Sequence, residues 1–375
     1  MGVYTHRERL LAAVDHREPD RVPRGAYTMT DVCYRNLRRH LGFPERPMQY
    51  AGDVSDVVVP HEDLLRHFDL DSRDVQVISL TPRPATSESD QYYENELGVG
   101  FRKYGVYYYF PVSHPLAGER TVRDVEAYPW PDPTQGDGIA ALVAEARRLR
   151  AESDCALVMN VGGTFFAHAW FLCGDDWFID LATNPPFVDA LLEKLLELDL
   201  ARAERLFDAL GPDGIDVAIC TTDDFGMQSG LLVSPAVYRR FVKPRHKAFF
   251  DYVRSRSNAR IFMHCDGEIY DLIPDFIEIG VDILNPVQVE CPKMGDTARL
   301  KREFGAELAF WGGINIQQTL TFGTPAEVRE EVRRRIEDLA PGGGLVLTPR
   351  WALRPEVPPE NICALYEAAE EYGRY

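Results

Sequence analysis

Two adjacent carboxylates, Asp223 and Asp224, and a histidine with a carboxylate two positions on, His264 and Asp266, are the side chains of this sequence best suited to chemistry. Alternate residues of a strand share a face. In Phe262-Met263-His264-Cys265-Asp266-Gly267 the imidazole and the carboxylate therefore project together, while Cys265 points away. Such a pair suits zinc or a harder divalent ion. It suits equally a carboxylate that orients the imidazole or caps the next helix, with no metal. Asp223 and Asp224 could share one proton or hold a cationic group, and a helix cap or turn accounts for an Asp-Asp-Phe-Gly run as well. Arg350 can fork onto a carboxylate or phosphate, or close a salt bridge at the surface. Asn285, Gln288, Asn315 and Gln317 supply amides that could position a polar substrate. His114 could come from a lid, and His168 lies in an apolar run that reads as core. His6, His16, His40, His61, His67 and His246 fall in helical or charged contexts and read as solvated. No nucleophilic triad, P-loop or H-E-x-x-H is present.

For these residues to meet, segments far apart in the chain must deliver them to one place. Eight short apolar or β-branched runs could do so: 21–27, 74–80, 155–161, 215–221, 259–265, 281–286, 308–313 and 344–349. Runs that are apolar throughout suit parallel strands covered on both faces. The connectors read as helices. Ile139, Leu142, Val143, Ala146 and Leu149 share one helical face. Ser234-Pro235 and Thr324-Pro325 are N-caps followed by proline, and Gly280 and Gly305 stand where a left-handed cap is wanted. Eight strand–helix repeats predict a closed TIM (β/α)8 barrel, one domain over residues 1–375. An open doubly wound sheet is the alternative, although no strand is followed by G-x-G-x-x-G. A barrel collects its chemistry where strands end. That rule nominates Asp223 and Asp224 after the fourth run, His264, Cys265 and Asp266 after the fifth, and Asn285 and Gln288 after the sixth. Asn315 and Gln317 follow the seventh, and Arg350 and Trp351 the eighth. Residues 81–134, rich in Tyr, Pro and Gly, predict a β-hairpin excursion between the second and third core strands. It either lies over one mouth as a lid or packs on itself.

Composition narrows the classes. Lys and Arg number 41 against 59 Asp and Glu, a formal charge of −18 that argues against nucleic-acid binding. A hydrophobic fraction of 45% supports a large core, and no stretch has the ~18 apolar residues of a membrane span. The segment Thr5-His6-Arg7-Glu8-Arg9 opens an amphipathic stretch rather than a signal core, and the seven cysteines are scattered without CxxC. The expectation is a cytoplasmic enzyme with reduced thiols. A homodimer is left open, since no stretch announces an interface.

The landmarks taken in order resemble a known family. They are Asp20-Arg21-Val22-Pro23, Asp223-Asp224-Phe225-Gly226-Met227-Gln228, Ser234-Pro235 with Lys243-Pro244, and His264-Cys265-Asp266-Gly267. Gly280-Val281-Asp282-Ile283-Leu284-Asn285-Pro286-Val287-Gln288, Trp311-Gly312-Gly313-Ile314-Asn315 and Pro358-Pro359-Glu360-Asn361-Ile362 complete the series. Together they resemble the uroporphyrinogen decarboxylase superfamily, which implies the TIM barrel. Its decarboxylases carry an arginine-bearing segment after the first strand, where this chain reads Tyr27-Thr28-Met29-Thr30-Asp31. The resemblance is therefore nearer the corrinoid-linked methyltransferases and demethylases, which share the Asp-Asp…Gln and Asn-Pro-x-Gln segments. It implies a small methylated substrate, a cobamide on a corrinoid-binding partner, and Gln228 among the substrate-binding residues. In that branch zinc is held by an H-x-C pair and a later Cys. Here His264 matches the first ligand, Asp266 stands for the second, and Trp351 occupies the third place, where no zinc ligand is offered. General acid work by His264, Asp266, Asp223 and Asp224, or a different divalent metal on His264 and Asp266, are the two ways left to run methyl transfer. Trp351 then reads as a stacking wall. A carboxy-lyase acting on a tetrapyrrole or smaller acid, and a ligand-binding barrel without chemistry, are the alternatives.

Overall fold

In the computed structural model the described residues are 4–51, 57–76, 78–79, 92–104, 108–133, 135–136, 138–349 and 353–375. Seven parallel strands form the central sheet: Ser72–Val75, Ala156–Asn160, Val217–Thr221, Arg260–His264, Ile283–Asn285, Ala309–Ile314 and Leu345–Pro349. Each lies beside its sequence neighbour, with Val217 opposite Val158, His264 opposite Asn285 and Phe310 opposite Leu345. Helices including Gly138–Glu152, Pro185–Leu210, Lys243–Arg256 and Pro325–Leu339 pack on its outer face. The fold is a curled, TIM-like α/β sheet.

The expected first run, residues 21–27, is not a regular strand, yet it ties the two edges of the sheet together. Gly25 N–H donates to Leu347 O (2.9 Å), Leu347 N–H to Pro23 O (2.9 Å) and Asp71 N–H to Arg24 O (2.8 Å). Pro23 has no N–H, and the Ala26 N–H goes to the Ser72 hydroxyl (2.7 Å), so the ladder is interrupted. The second strand, expected at 74–80, begins two residues earlier. Asp71, Ser72 and Arg73 are polar and read as loop, but they are buried with their partners. Ile78–Ser79 leaves this sheet to pair with Tyr50–Ala51 in a small antiparallel sheet with Met29–Thr30 and Val57–Val58. Gly280 takes the expected left-handed conformation at φ 89°, whereas Gly305 is right-handed at φ −70°. Within the excursion, Tyr92–Glu94, Gly100–Tyr104 and Tyr108–Ser113 form an antiparallel three-stranded sheet. It meets helix Phe166–Cys173 through Phe101 edge-on to Phe171. Residues 81–91, 105–107 and 134 of the expected excursion lie outside the described residues. Among the described residues no helix is long and apolar enough to cross a membrane.

The inner face of the sheet is read directly from packing. Helix His6–Val14 closes one end, its Leu10 and Val14 clustering with Ala156, Val158, Val217, Phe262, Ile283, Ala309, Trp311 and Val346. Their odd-one-out neighbours, such as Leu157, Ile261, Met263 and Leu347, belong to the outer core. Continuing the inner alternation toward the C-terminal strand ends reaches Asn160, His264, Asn285 and Thr348. The closed end is held by buried charge. Fully buried Asp71 accepts from Arg9 Nη1 (2.8 Å), Arg21 Nη1 (2.7 Å) and the Arg24 N–H (2.7 Å).

Removing Asp71 would take a fully buried carboxylate from two guanidinium groups, leaving Arg9 on Asp20 and Arg21 on Asp69. Asp71→Ala is expected to lose about 3–5 kcal/mol of stability in denaturant titration, whereas Lys247→Ala, whose ion pair with Asp251 is exposed, stays close to wild type.

Candidate functional site

The turn after Val217–Thr221 separates the two neighbouring aspartates. Asp223 is fully buried, and its carboxylate accepts the N–H groups of Phe165 (3.0 Å), Phe166 (3.0 Å) and Ala167 (2.8 Å). It thereby caps helix Phe166–Cys173, whose own N-cap residue Phe165 has no capping side chain. His246 Nε2 lies 3.1 Å from the same carboxylate, and Tyr238 lies behind His246. Asp224 has its side chain 49% exposed, and its Oδ1 accepts the Asp266 N–H (2.7 Å).

His264 comes to this group from the inner face of Arg260–His264. Its Nε2 lies 3.9 Å from Asp224 Oδ1 and 3.9 Å from Asp266 Oδ1. Asn285 Nδ2 donates to Trp311 O (2.9 Å), so its oxygen faces His264 Nδ1 at 2.7 Å and accepts from it. With Nδ1 carrying the proton, the neutral ring has its lone pair on Nε2. The loops bearing Asp224 and Asp266 touch backbone to backbone. A Cβ on Gly226 would fall 2.6 Å from Asp266 O, and one on Gly267, at φ 94°, 2.2 Å from Gly226 C. Only glycine permits that approach. Gln288, almost fully buried, accepts the Gly267 N–H (2.6 Å) and holds the turn after His264.

Burial raises the Asp224 pKa most, His264 works in the opposite direction, and the Asp266 carboxylate raises it further. One ligand atom from each of Asp224, His264 and Asp266 falls within 4.8 Å of the others. One imidazole nitrogen and two carboxylate oxygens suit a borderline or hard divalent cation. A thiolate ligand is not provided by Cys265. Its Sγ faces the outer core, where it accepts the Phe225 N–H (3.3 Å), and burial pushes the thiol well above its usual range.

The nominated residues divide accordingly. Asp224, His264 and Asp266 converge, with Asn285 behind the imidazole. Asp223 and Gln288 lie beneath them, committed to backbone N–H groups. Asn315 caps the short helix Ile316–Leu320 by accepting the Gln318 N–H (2.7 Å). Gln228 and Gln317 are exposed. Arg350 and Trp351 lie outside the described residues. His246, expected to be solvated, is fully buried on Asp223. Its charged neighbours Arg245 and Lys247 hide it, and only its helical spacing to buried Phe249, Phe250 and Val253 marks it.

The family model for uroporphyrinogen decarboxylase (URO-D) matches residues 105–372. The chain belongs to the URO-D family. This family member is similar to two curated proteins, each named methylcobamide:CoM methyltransferase MtaA, from Methanosarcina barkeri and from its strain Fusaro. They are 29% and 28% identical over 182 residues, 48% of this chain and 49% of each relative. The chain thus spans about half the length of the curated relatives it matches. A solved structure, a methyltransferase from Methanosarcina mazei, shares the fold with a TM-score of 0.67 at 21% identity, over 98% of this chain and 99% of that one.

The two aspartates should separate in experiment. Asp223→Ala is expected to lose on the order of 2–4 kcal/mol, whereas Asp224→Ala melts close to wild type; parallel thermal and denaturant unfolding reads the difference.

Proposed function

We propose that this URO-D family protein moves a methyl group between a small methylated substrate and a cobamide carried by a corrinoid-binding partner, in a single (β/α)8 barrel over residues 1–375. The observation that carries the reading is the Asp224–His264–Asp266 cluster at the C-terminal strand ends. The curated relatives' names support methyl transfer as its use. A bound cobamide supplies the cobalt that takes or gives the methyl group.

The chain's own residues manage the proton. Taking a methyl group from oxygen, nitrogen or sulfur leaves a heteroatom that needs one. Asp224, whose pKa is raised chiefly by burial, holds a proton to higher pH than a free carboxyl and donates it from the oxygen not bound to the Asp266 N–H. Asn285 keeps the His264 proton on Nδ1, so that Nε2 can accept one. Where a divalent cation is held, His264 Nε2 and the carboxylates of Asp224 and Asp266 are its ligands. Asp223 and Gln288 act by positioning. Gln228 and Gln317 stand on segments leaving the strand ends, where a substrate would be met, and Arg350 and Trp351 are assigned to substrate contact by their place in the sequence. Met227 and Phe322, apolar yet 56% and 76% exposed, lie on such segments and suit a docked protein partner.

The test follows the cobalamin spectrum during incubation with methylcobalamin or reduced cobalamin and O-, N- and S-methyl compounds. Methyl transfer is expected from wild type, with Asp224→Asn slower by roughly 100-fold or more. Activity that needs protonated Asp224 should hold at low pH and fall as pH rises through its raised pKa, a limb that Asp224→Asn lacks. Wild type inert toward every such pair, or Asp224→Asn and His264→Ala turning over normally, would overturn the reading.

A further inference from the structure

A second group of metal-ligating side chains lies at the closed end of the strands, opposite the Asp224 cluster. His6, which reads as solvated in the sequence, is half-buried at the start of the helix that seals the sheet. Its Nδ1 lies 2.9 Å from Asp154 Oδ1, and its Nε2 lies 2.9 Å from Asp69 Oδ1. Asp69 precedes strand Ser72–Val75, and Asp154 and Cys155 precede strand Ala156–Asn160, so three segments distant in sequence meet here. One ligand atom from each of His6, Asp154 and Cys155 falls within 4.8 Å of the others. Asp154 Oδ2 accepts the His6 N–H at 3.3 Å, which leaves Oδ1 to face the ring. The helix start is capped independently by Thr5 and Glu8, which exchange bonds in a capping box, so the His6 ring is not spent on it.

Cys155 is the telling member. Cys33, Cys173, Cys220, Cys265 and Cys291 lie in the outer apolar core, and Cys363 packs against it. Cys155, buried at 2% exposed, belongs to neither apolar cluster of the described residues. Its Sγ meets Leu70 O at 3.6 Å. A buried cysteine ordinarily serves as a small apolar residue, whereas this one is placed among an imidazole and carboxylates. An open cleft of about 490 Å³ is lined by His6, Asp69, Asp154 and Cys155 together, so an ion from solvent reaches all of them. Arg66 and Arg73 also line it, and both are paired with Glu62. Asp69 completes the pattern. Its second oxygen is fixed by Arg21 Nη2 at 2.6 Å, and a carboxylate on the far nitrogen is what orients a metal-ligating histidine.

We propose that His6 Nδ1, Asp154 and Cys155 hold zinc or a similar borderline divalent cation at the closed end, with Asp69 orienting the imidazole. One nitrogen, one sulfur and one carboxylate oxygen, with water in the remaining place, suit that ion. On binding, the metal displaces the Cys155 proton to solvent and ties the sealing helix to strand Ala156–Asn160. The site is independent of the methyl-transfer reading. Cobalt(II) titration of the full chain after chelator treatment tests it, because thiolate ligation adds a near-ultraviolet charge-transfer band. Asp224, His264 and Asp266 offer no sulfur, so their cluster stays silent in that band. Wild type is expected to develop the band to saturation, and added zinc to remove it. Cys155→Ser loses the band, and His264→Ala keeps it. Asp69→Asn weakens cobalt binding by about ten-fold or more, and asparagine suits the left-handed backbone there, at φ 52°. No band in wild type, or an unchanged band in Cys155→Ser, overturns the proposal whatever the methyl-transfer assay shows. Thermal unfolding adds a second reading. In His264→Ala, where the open-end cluster has lost its imidazole, zinc should still raise the midpoint, and an unmoved midpoint overturns the proposal equally.

Discussion

The site depends on the burial of one carboxylate beneath another. Asp223 takes three backbone N–H groups from the start of helix Phe166–Cys173 and faces His246. Those bonds fix the turn after Val217–Thr221, and the next residue has no choice but to emerge on the open side. Asp224 is placed by its neighbour's confinement. A carboxylate free of that constraint would turn to water, since two like charges at adjacent positions repel.

Around this fixed point the inner face changes character along the strands. Toward the closed end it is apolar, sealed by Leu10 and Val14 of the first helix. Toward the C-terminal strand ends it turns polar at His264, Asn285 and Thr348. The two ends solve opposite problems. At the closed end Asp71 is matched by Arg9 and Arg21, which pair in turn with Asp20 and Asp69. At the open end Asp224 and Asp266 crowd one imidazole, and Asp224 is raised first by burial and further by the second carboxylate. Uncompensated charge costs stability, and it is concentrated where proton transfer or cation binding can use it.

Close backbone contact completes the arrangement. Gly226 and Gly267 let two loops approach until Asp224 Oδ1 receives the Asp266 N–H. Gln288 braces the same turn through the Gly267 N–H. Asn285 and Gln288, nominated for substrate contact, thus hold His264 and the turn after it.

Strand order, helix punctuation and the shared face of His264 and Asp266 are local properties, set by the two-residue period of a strand and by capping chemistry, and they were legible in the chain itself. So was the outward direction of Cys265. The division of labour between Asp223 and Asp224 was not, because both are aspartates in a turn and only the distant helix Phe166–Cys173 distinguishes them. The same holds for His246, whose flanking charges suggested solvent until its partner arrived from another loop. Residues 71–73 read as loop because polar side chains can lie in a core strand only when arginines and carboxylates from elsewhere neutralise them. Sequence determines which faces each element presents; which polar group is consumed by the fold and which is left for chemistry is decided by partners that only the tertiary structure brings within reach.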